Sequence, residues 1–152
     1  YTVVKLVKNW IKLKKELDTL DVVIVAAERG HGKRAEIFSD YVFSVWDNGI
    51  LKTIGKAYSG LTDKELLEMN ERLKNLAIRD EGWRIIVRPE IVIEVAFNGI
   101  QKSERHESGF ALRFPRIKRI RDDKSIDEAD TVEKVKAIYE RQKTLEGERL
   151  NR

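Results

Sequence analysis

Tyr41-Val42-Phe43-Ser44-Val45-Trp46 and Ile50-Leu51-Lys52-Thr53-Ile54-Gly55-Lys56-Ala57-Tyr58 flank the tripeptide Asp47-Asn48-Gly49, and Gly60-Leu61-Thr62-Asp63-Lys64-Glu65-Leu66 follows almost at once. The two flanking runs, 41–46 and 50–58, are rich in β-branched and aromatic residues, so both are strand candidates. Asn-Gly between them is a strong hairpin signal, because the tight turn needs positive φ at both central positions. A helix must then begin. Thr62 is a good N-cap, and Glu65 three residues later completes a capping box. Leu61 and Leu66 sit where a hydrophobic staple places them, and Leu66, Met69, Leu73 and Leu76 keep one apolar stripe.

Toward the N-terminus, residues 20–28 contain Val22-Val23-Ile24-Val25, a run that reads as a strand buried on both faces. Gly30-His31-Gly32 punctuates the chain after it. Residues 9–15 alternate: Trp10, Lys12 and Lys14 share one face, Ile11 and Leu13 the other.

Toward the C-terminus, residues 83–88 return to strand character, and Pro89 interrupts them. Residues 91–97 put Ile91, Ile93, Val95 and Phe97 on one face and Val92, Glu94 and Ala96 on the other. Asn98-Gly99 reads as the next turn. Phe110, Leu112 and Phe114 share a face of a strand over 109–114, broken by Pro115; the chain runs on through Arg116-Ile117-Lys118-Arg119-Ile120-Arg121. A last helix fits residues 131–143, with Thr131 as cap and Val132, Val135, Ile138 and Tyr139 as its stripe, before a polar, fraying tail.

Five or more strands, one helix between two sets of strands and a C-terminal helix, without repeats or βαβ alternation, predict a mainly β chain. A small antiparallel barrel solves the pattern, since closure removes exposed edges. Pattern alone does not choose an OB-fold over another small barrel.

The 152 residues suffice for one domain with a core. Thirty Lys+Arg against 26 Asp+Glu leave a net charge of +4, so nucleic-acid binding requires the excess to be clustered. Cysteine is absent, which excludes disulfides and thiolate metal sites. No apolar run approaches a membrane span. The chain starts at Tyr1 rather than Met and enters a strand-like pattern directly, so it reads as a fragment of a longer protein.

Two basic clusters stand out. One is Lys5, Lys8, Lys12, Lys14 and Lys15; the other is Arg113, Arg116, Lys118, Arg119, Arg121 and Lys124, interleaved with Phe110 and Phe114. Each reads either as a solvated strand face or as a grip on a nucleic-acid backbone with an aromatic beside it. Gly30-His31-Gly32-Lys33-Arg34 fails the Walker spacing and reads better as a basic turn near DNA. His31 and His106 lack partners at ligand spacing, so no metal site is assigned. Asp122-Asp123 is by default a solvated pair. From the residues alone, the reading stops at a small basic β-barrel with nucleic-acid binding as one option.

Several stretches, in order, resemble ATP-dependent DNA ligases. Trp10-Ile11-Lys12-Leu13-Lys14 is similar to the W-x-K-x-K segment that closes their nucleotidyltransferase domain. Leu20-Asp21-Val22-Val23-Ile24-Val25-Ala26 with Gly30-His31-Gly32-Lys33-Arg34 resembles the opening of their OB domain. Gly55-Lys56 to Gly60-Leu61-Thr62-Asp63, then Glu90-Ile91-Val92-Ile93-Glu94-Val95 and Ile100-Gln101-Lys102-Ser103, follow in the family's order. Ser108-Gly109-Phe110-Ala111-Leu112-Arg113-Phe114-Pro115-Arg116-Ile117 leads into Arg119-Ile120-Arg121-Asp122-Asp123-Lys124, which resembles the family's final R-x-D-K motif. The wording is most like the shorter bacterial and archaeal ligases. Two features differ: of the Tyr-x-x-Gly-basic-basic run expected before the Trp, the Gly and one basic residue are missing, since Tyr1 is followed by Val4 and then Lys5-Leu6; and no lysine stands in a K-x-D-G nucleophile motif.

The resemblance implies an OB-fold antiparallel barrel with one inserted helix and a C-terminal helix. It divides the chain into residues 1–15 (end of the nucleotidyltransferase domain, or a linker strand), 16–143 (OB domain) and 144–152 (polar tail). It implies a cytoplasmic, nucleoid-associated, monomeric enzyme of DNA repair, replication and recombination. That enzyme moves AMP from ATP to a lysine, then to the 5′-phosphate of a nick, where the 3′-hydroxyl displaces it. The lysine, and most of the Mg2+ binding, belong to a preceding nucleotidyltransferase domain, so this chain alone is expected to be inactive. Arg121, Asp123 and Lys124 are implied to orient the ATP β- and γ-phosphates, with Asp123 holding a basic side chain or the in-line geometry. Lys12 and Lys14 are implied to reach the α-phosphate. Arg113, Phe114, Arg116, Lys33 and Arg34 are implied to meet nicked duplex DNA, with Phe114 as a minor-groove wedge; its parity with Phe110 and Leu112 leaves a core position open. The alternatives are a freestanding OB module for single-stranded nucleic acid, or the OB domain of an RNA ligase or capping enzyme. The Arg-Phe-Pro-Arg segment favours a DNA ligase over the latter pair.

Overall fold

Strand β1 (Asp18–Arg29) is the centre of the molecule. The computed structural model describes residues 18–30, 37–58 and 60–150. The predicted strand over 9–15, with Lys12 and Lys14, and the turn residues His31, Lys33 and Arg34 lie outside them.

Along one edge β1 pairs with β2 (Phe38–Asp47), which pairs in turn with β3 (Ile50–Tyr58), all antiparallel. Asn48 and Gly49 turn the β2–β3 hairpin with φ of 52° and 80°, as the Asn-Gly signal requires. The other edge of β1 is divided. Asp18–Val23 pair with β6 (Val92–Phe97), and Ala26–Glu28 pair with β5 (Arg84–Val87). β6 then pairs with β9 (Arg116–Ile120), so the barrel path runs β3-β2-β1-β6-β9, and β9 comes round to touch β3. In chain order, helix α1 (Asp63–Leu76) is inserted after β3 and before β6, the third and fourth of those five strands. This is the OB arrangement.

Strand ladders on both edges and apolar contacts on both faces explain the β-branched run in β1. Leu20, Val22 and Ile24 enter the main core with Phe38, Tyr41, Phe43, Ile93, Val95 and Phe97. Val23 points the other way, into a smaller cluster with Val92 and Ala129, edged by Trp46, Leu51 and Ile126.

The α1 capping box forms as predicted: Thr62 Oγ1 accepts from the Glu65 N–H, and the Glu65 carboxylate accepts from the Thr62 N–H. Leu66, Met69 and Leu73 are buried. Asn70, on the same stripe, is a polar exception with a purpose: its Oδ1 accepts from the Phe38 N–H at 2.7 Å, and its Nδ2 donates to the Phe38 and Leu66 carbonyls.

Three boundaries differ from expectation. An extra strand, β4 (Ala77–Asp80), follows α1 directly and pairs with β5; all four of its residues are exposed, so it carries no alternation to read. Asn98-Gly99 is no hairpin turn. There the chain leaves the barrel for a two-stranded sheet of β7 (Gly99–Lys102) and β8 (Phe110–Arg113). Helix α2 (Val132–Leu150) begins at the Thr131 cap but runs past residue 143, since no proline stops it.

Gly60 sits where the chain leaving β3 crosses β9. A Cβ on it would lie 2.4 Å from the Ile117 carbonyl oxygen, a backbone atom that cannot swing aside. Gly60→Ala should therefore destabilise the fold by about 1–3 kcal/mol in denaturant unfolding; an unchanged midpoint would contradict this crossing.

Candidate functional site

Asp21 on β1 and Glu94 on β6 are direct ladder partners, and both point away from the main core. Their side chains are only 11% and 14% exposed. Two carboxylates so placed repel one another unless cations meet them. Three do. Arg119, the ladder partner of Glu94 on β9, donates to it at 2.9 Å. Arg121 brings its Nη1 to 3.6 Å from Asp21 and 3.9 Å from Glu94. Lys124 Nζ donates directly to Asp21 Oδ2.

The chain's path makes this possible. Past the end of β9 the Arg121 N–H still donates to the Val92 carbonyl, at 2.8 Å, which keeps Arg121 on the same outward face as Arg119. The Lys124 N–H then donates to the Arg121 carbonyl, turning the backbone so that Lys124 reaches β1. Asp123 stands on the far side of Arg121 and accepts from Nε and Nη2, both at 3.0 Å. The two contacts form a bidentate fork between the Asp123 carboxylate and the Arg121 guanidinium. Asp122 is separate: it pairs with Arg72 of α1 at 2.9 Å.

Asp21 is itself clamped. Its N–H donates to Asp130 Oδ2 at 2.7 Å and its carbonyl accepts from the Asp130 N–H at 2.8 Å. The Asp130 carbonyl accepts from the Trp46 N–H, and the Trp46 indole donates to the Ile126 carbonyl at 2.8 Å. The loop carrying the charged motif is thus tied to β6 at one end and to β1 and β2 at the other, over the small apolar cluster.

Asp21 and Glu94 were not singled out in the sequence. Each had a visible signal: a carboxylate inside a β-branched strand, and one on the minority face of an alternating strand. What the signals lacked was each other, because pairing is a long-range fact.

The hydrogen bond from Arg121, with its charge, holds the Asp123 carboxyl below its ordinary range. The hydrogen bond that Arg121 donates to Asp123 raises Arg121 further, and the one that Lys124 donates to Asp21 raises Lys124.

At the other end of β9 the cations are in a different state. Arg113, Arg116 and Lys118 are exposed, and among the described residues no carboxylate lies within ion-pair distance of them. Phe114 does not continue the face of Phe110 and Leu112. β8 ends at Arg113, and Phe114 adopts φ of 49°, which throws its ring into solvent, 75% exposed. That conformation is costly for a bulky residue, and it disposes of the core position that parity had left open. β9 has five residues, so its two ends, Phe114–Arg116 and Arg121–Lys124, stand about 17 Å apart.

Of the histidines, His106 sits in the β7–β8 connection with Nδ1 2.7 Å from Ser103 Oγ, and burial lowers its pKa. Among the described residues no cluster of three or more His, Cys, Asp or Glu could hold a metal ion, and no helix is long and apolar enough to cross a membrane.

Comparison with known proteins agrees with the fold and motif order. Residues 34–124 match the family described as the ATP dependent DNA ligase C terminal region, and the chain belongs to it. A probable DNA ligase of Koribacter versatilis is 55% identical over 152 residues, which are 100% of this chain and 26% of that protein. DNA ligase 1 of Korarchaeum cryptofilum is 53% identical over 137 residues, 89% of this chain and 25% of that protein. The chain therefore spans about a quarter of the length of these relatives. Among solved structures, the ligase domain of M. tuberculosis LigD superposes with a TM-score of 0.62 at 23% identity, over 76% of this chain and 39% of that one. A mycobacterial DNA ligase D complexed with ATP and MES gives 0.58 at 23% identity, over 77% and 38%. At that identity the two structures speak for the fold.

Because its folded pKa is lowered, Asp123 contributes stability fully above its unfolded value, and that contribution is lost as pH falls through the folded one. A carboxyl NMR titration should place the Asp123 midpoint below 3.8. A midpoint at or above that value is incompatible with the Arg121 fork.

Proposed function

We propose that this chain is the OB domain of an ATP-dependent DNA ligase and serves two steps with the two ends of β9. The observation that carries the reading is the contrast between those ends. One holds cations assembled on fixed carboxylates; the other holds exposed cations, with no carboxylate at ion-pair distance among the described residues, around an exposed aromatic.

In the first step, Arg121, Asp123 and Lys124 face the β- and γ-phosphates while the preceding nucleotidyltransferase domain supplies the nucleophilic lysine and most of the Mg2+ binding. Charge gathers on the leaving pyrophosphate, so nearby cations with fixed geometry favour its departure. Asp123 cannot bind phosphate; it holds Arg121. Lys124, a compact charge with three donors, keeps two of them beyond Asp21. Lys12 and Lys14 reach the α-phosphate from the domain junction.

In the second step the domain turns its other end to nicked duplex DNA. Arg113 and Arg116 grip phosphates without reading sequence, and Phe114 wedges into the minor groove beside the nick; Lys33 and Arg34, which lie outside the described residues, are assigned to the same DNA by the family resemblance alone. The exposed, left-handed Phe114 supports this role: its ring is already presented, so no core contact is lost on binding.

In the full-length ligase, Arg121→Ala or Asp123→Ala should slow self-adenylation about 100-fold, as loss of a charge-stabilising group does, yet spare sealing of a pre-adenylated nick. Equal loss of both steps would sink the assignment. Arg113→Ala should weaken nick binding and lower the slope of log affinity against log salt by about one. An unchanged slope would remove Arg113 from the DNA contact.

A further inference from the structure

Asp21 is hard to explain as a contribution to the sheet. Its ladder partner is another carboxylate, Glu94, and its strand neighbours Leu20, Val22 and Val23 are all buried. An apolar pair there would extend the small cluster of Val23 and Val92 without repulsion. What the acid does provide is a fixed anchor for two cations. Its backbone is bonded on both sides to Asp130. Its Oδ2 takes Lys124, and its Oδ1 faces Arg121 while accepting no hydrogen bond among the described residues.

We infer that Asp21 is a positioning residue for the adenylation step: it holds Lys124 Nζ, and with Asp123 the Arg121 guanidinium, at a set spacing on the face turned to the triphosphate. This rests on the reading of the motif given above. Asp21 does not touch the nucleotide. A lysine on a four-carbon stem samples many rotamers, and a carboxylate fixed by strand and loop removes that freedom before the nucleotide arrives. Arg121 and Lys124 divide the work. The Arg121 side chain is 13% exposed, with Nε and Nη2 committed to Asp123, so it braces the site. Lys124 is more open and keeps donors for a phosphate oxygen.

The test is a double-mutant cycle in the full-length ligase, with Asp21→Asn, Lys124→Ala and both together, following single-turnover self-adenylation with labelled ATP and, separately, sealing of a pre-adenylated nick. Asp21→Asn keeps the shape of the side chain and the backbone bonds to Asp130. It should slow adenylation about tenfold in the wild-type background and by clearly less in the Lys124→Ala background, where only its hold on Arg121 is left to lose, because residues acting through one another are not additive. Sealing should stay within about twofold throughout, which also reports that the domain is folded. Losses that multiply, sealing that falls in parallel, or normal adenylation by Asp21→Asn beside a slow Lys124→Ala would each overturn the role of Asp21 alone. Normal adenylation by Lys124→Ala would overturn the reading of the motif, and this inference with it.

Discussion

Strand β1 is hydrogen-bonded along both edges and buried on both faces, and every functional element takes its place from that constraint. A strand with two covered faces needs apolar side chains in both directions, which Leu20, Val22 and Ile24 supply inward and Val23 outward. The outer face needs a lid, and the segment from Arg121 to Asp130 provides it, packing Ile126 and Ala129 on Val23 and Val92. The charged motif is carried on that lid. Its position follows from hydrophobic cover and from the Asp130 clamp, and the ion pairs come second. Ion pairs as exposed as the Arg72–Asp122 contact contribute little. The Asp21 and Glu94 carboxylates and Arg121 are nearly buried, and there a missing partner would leave an uncompensated charge.

The two ends of β9 illustrate how one strand can hold similar residues in opposite electrostatic states. Arg119 and Arg121 lie over a carboxylate-bearing face and are neutralised where they stand. Arg113 and Arg116 lie past the reach of those acids and are exposed. A net charge of +4 for the whole chain conceals this division.

Local features were legible in the sequence to the extent that their causes are local. The Thr62–Glu65 capping box, the Asn48-Gly49 hairpin and the Thr131 cap involve residues three or fewer apart, so short-range chemistry determines them. β4 was not legible, because an exposed four-residue edge strand has no pattern and exists only through its pairing with β5. Parity left a core position open for Phe114 for a related reason: it assumes that the strand continues, and the left-handed turn at Phe114 ends it.

The sequence by itself determined a mainly β chain with an inserted helix, and the order of its motifs pointed to the ligase family and to Arg121-Asp122-Asp123-Lys124. Only the tertiary structure decided what that motif rests on. Lys124 and Asp21 are 103 residues apart, and Arg121 reaches Glu94 of β6 from just past the end of β9. Periodicity can assign a carboxylate to a face, but which cation stands over it depends on strand order and register, and those are settled by closure of the barrel as a whole.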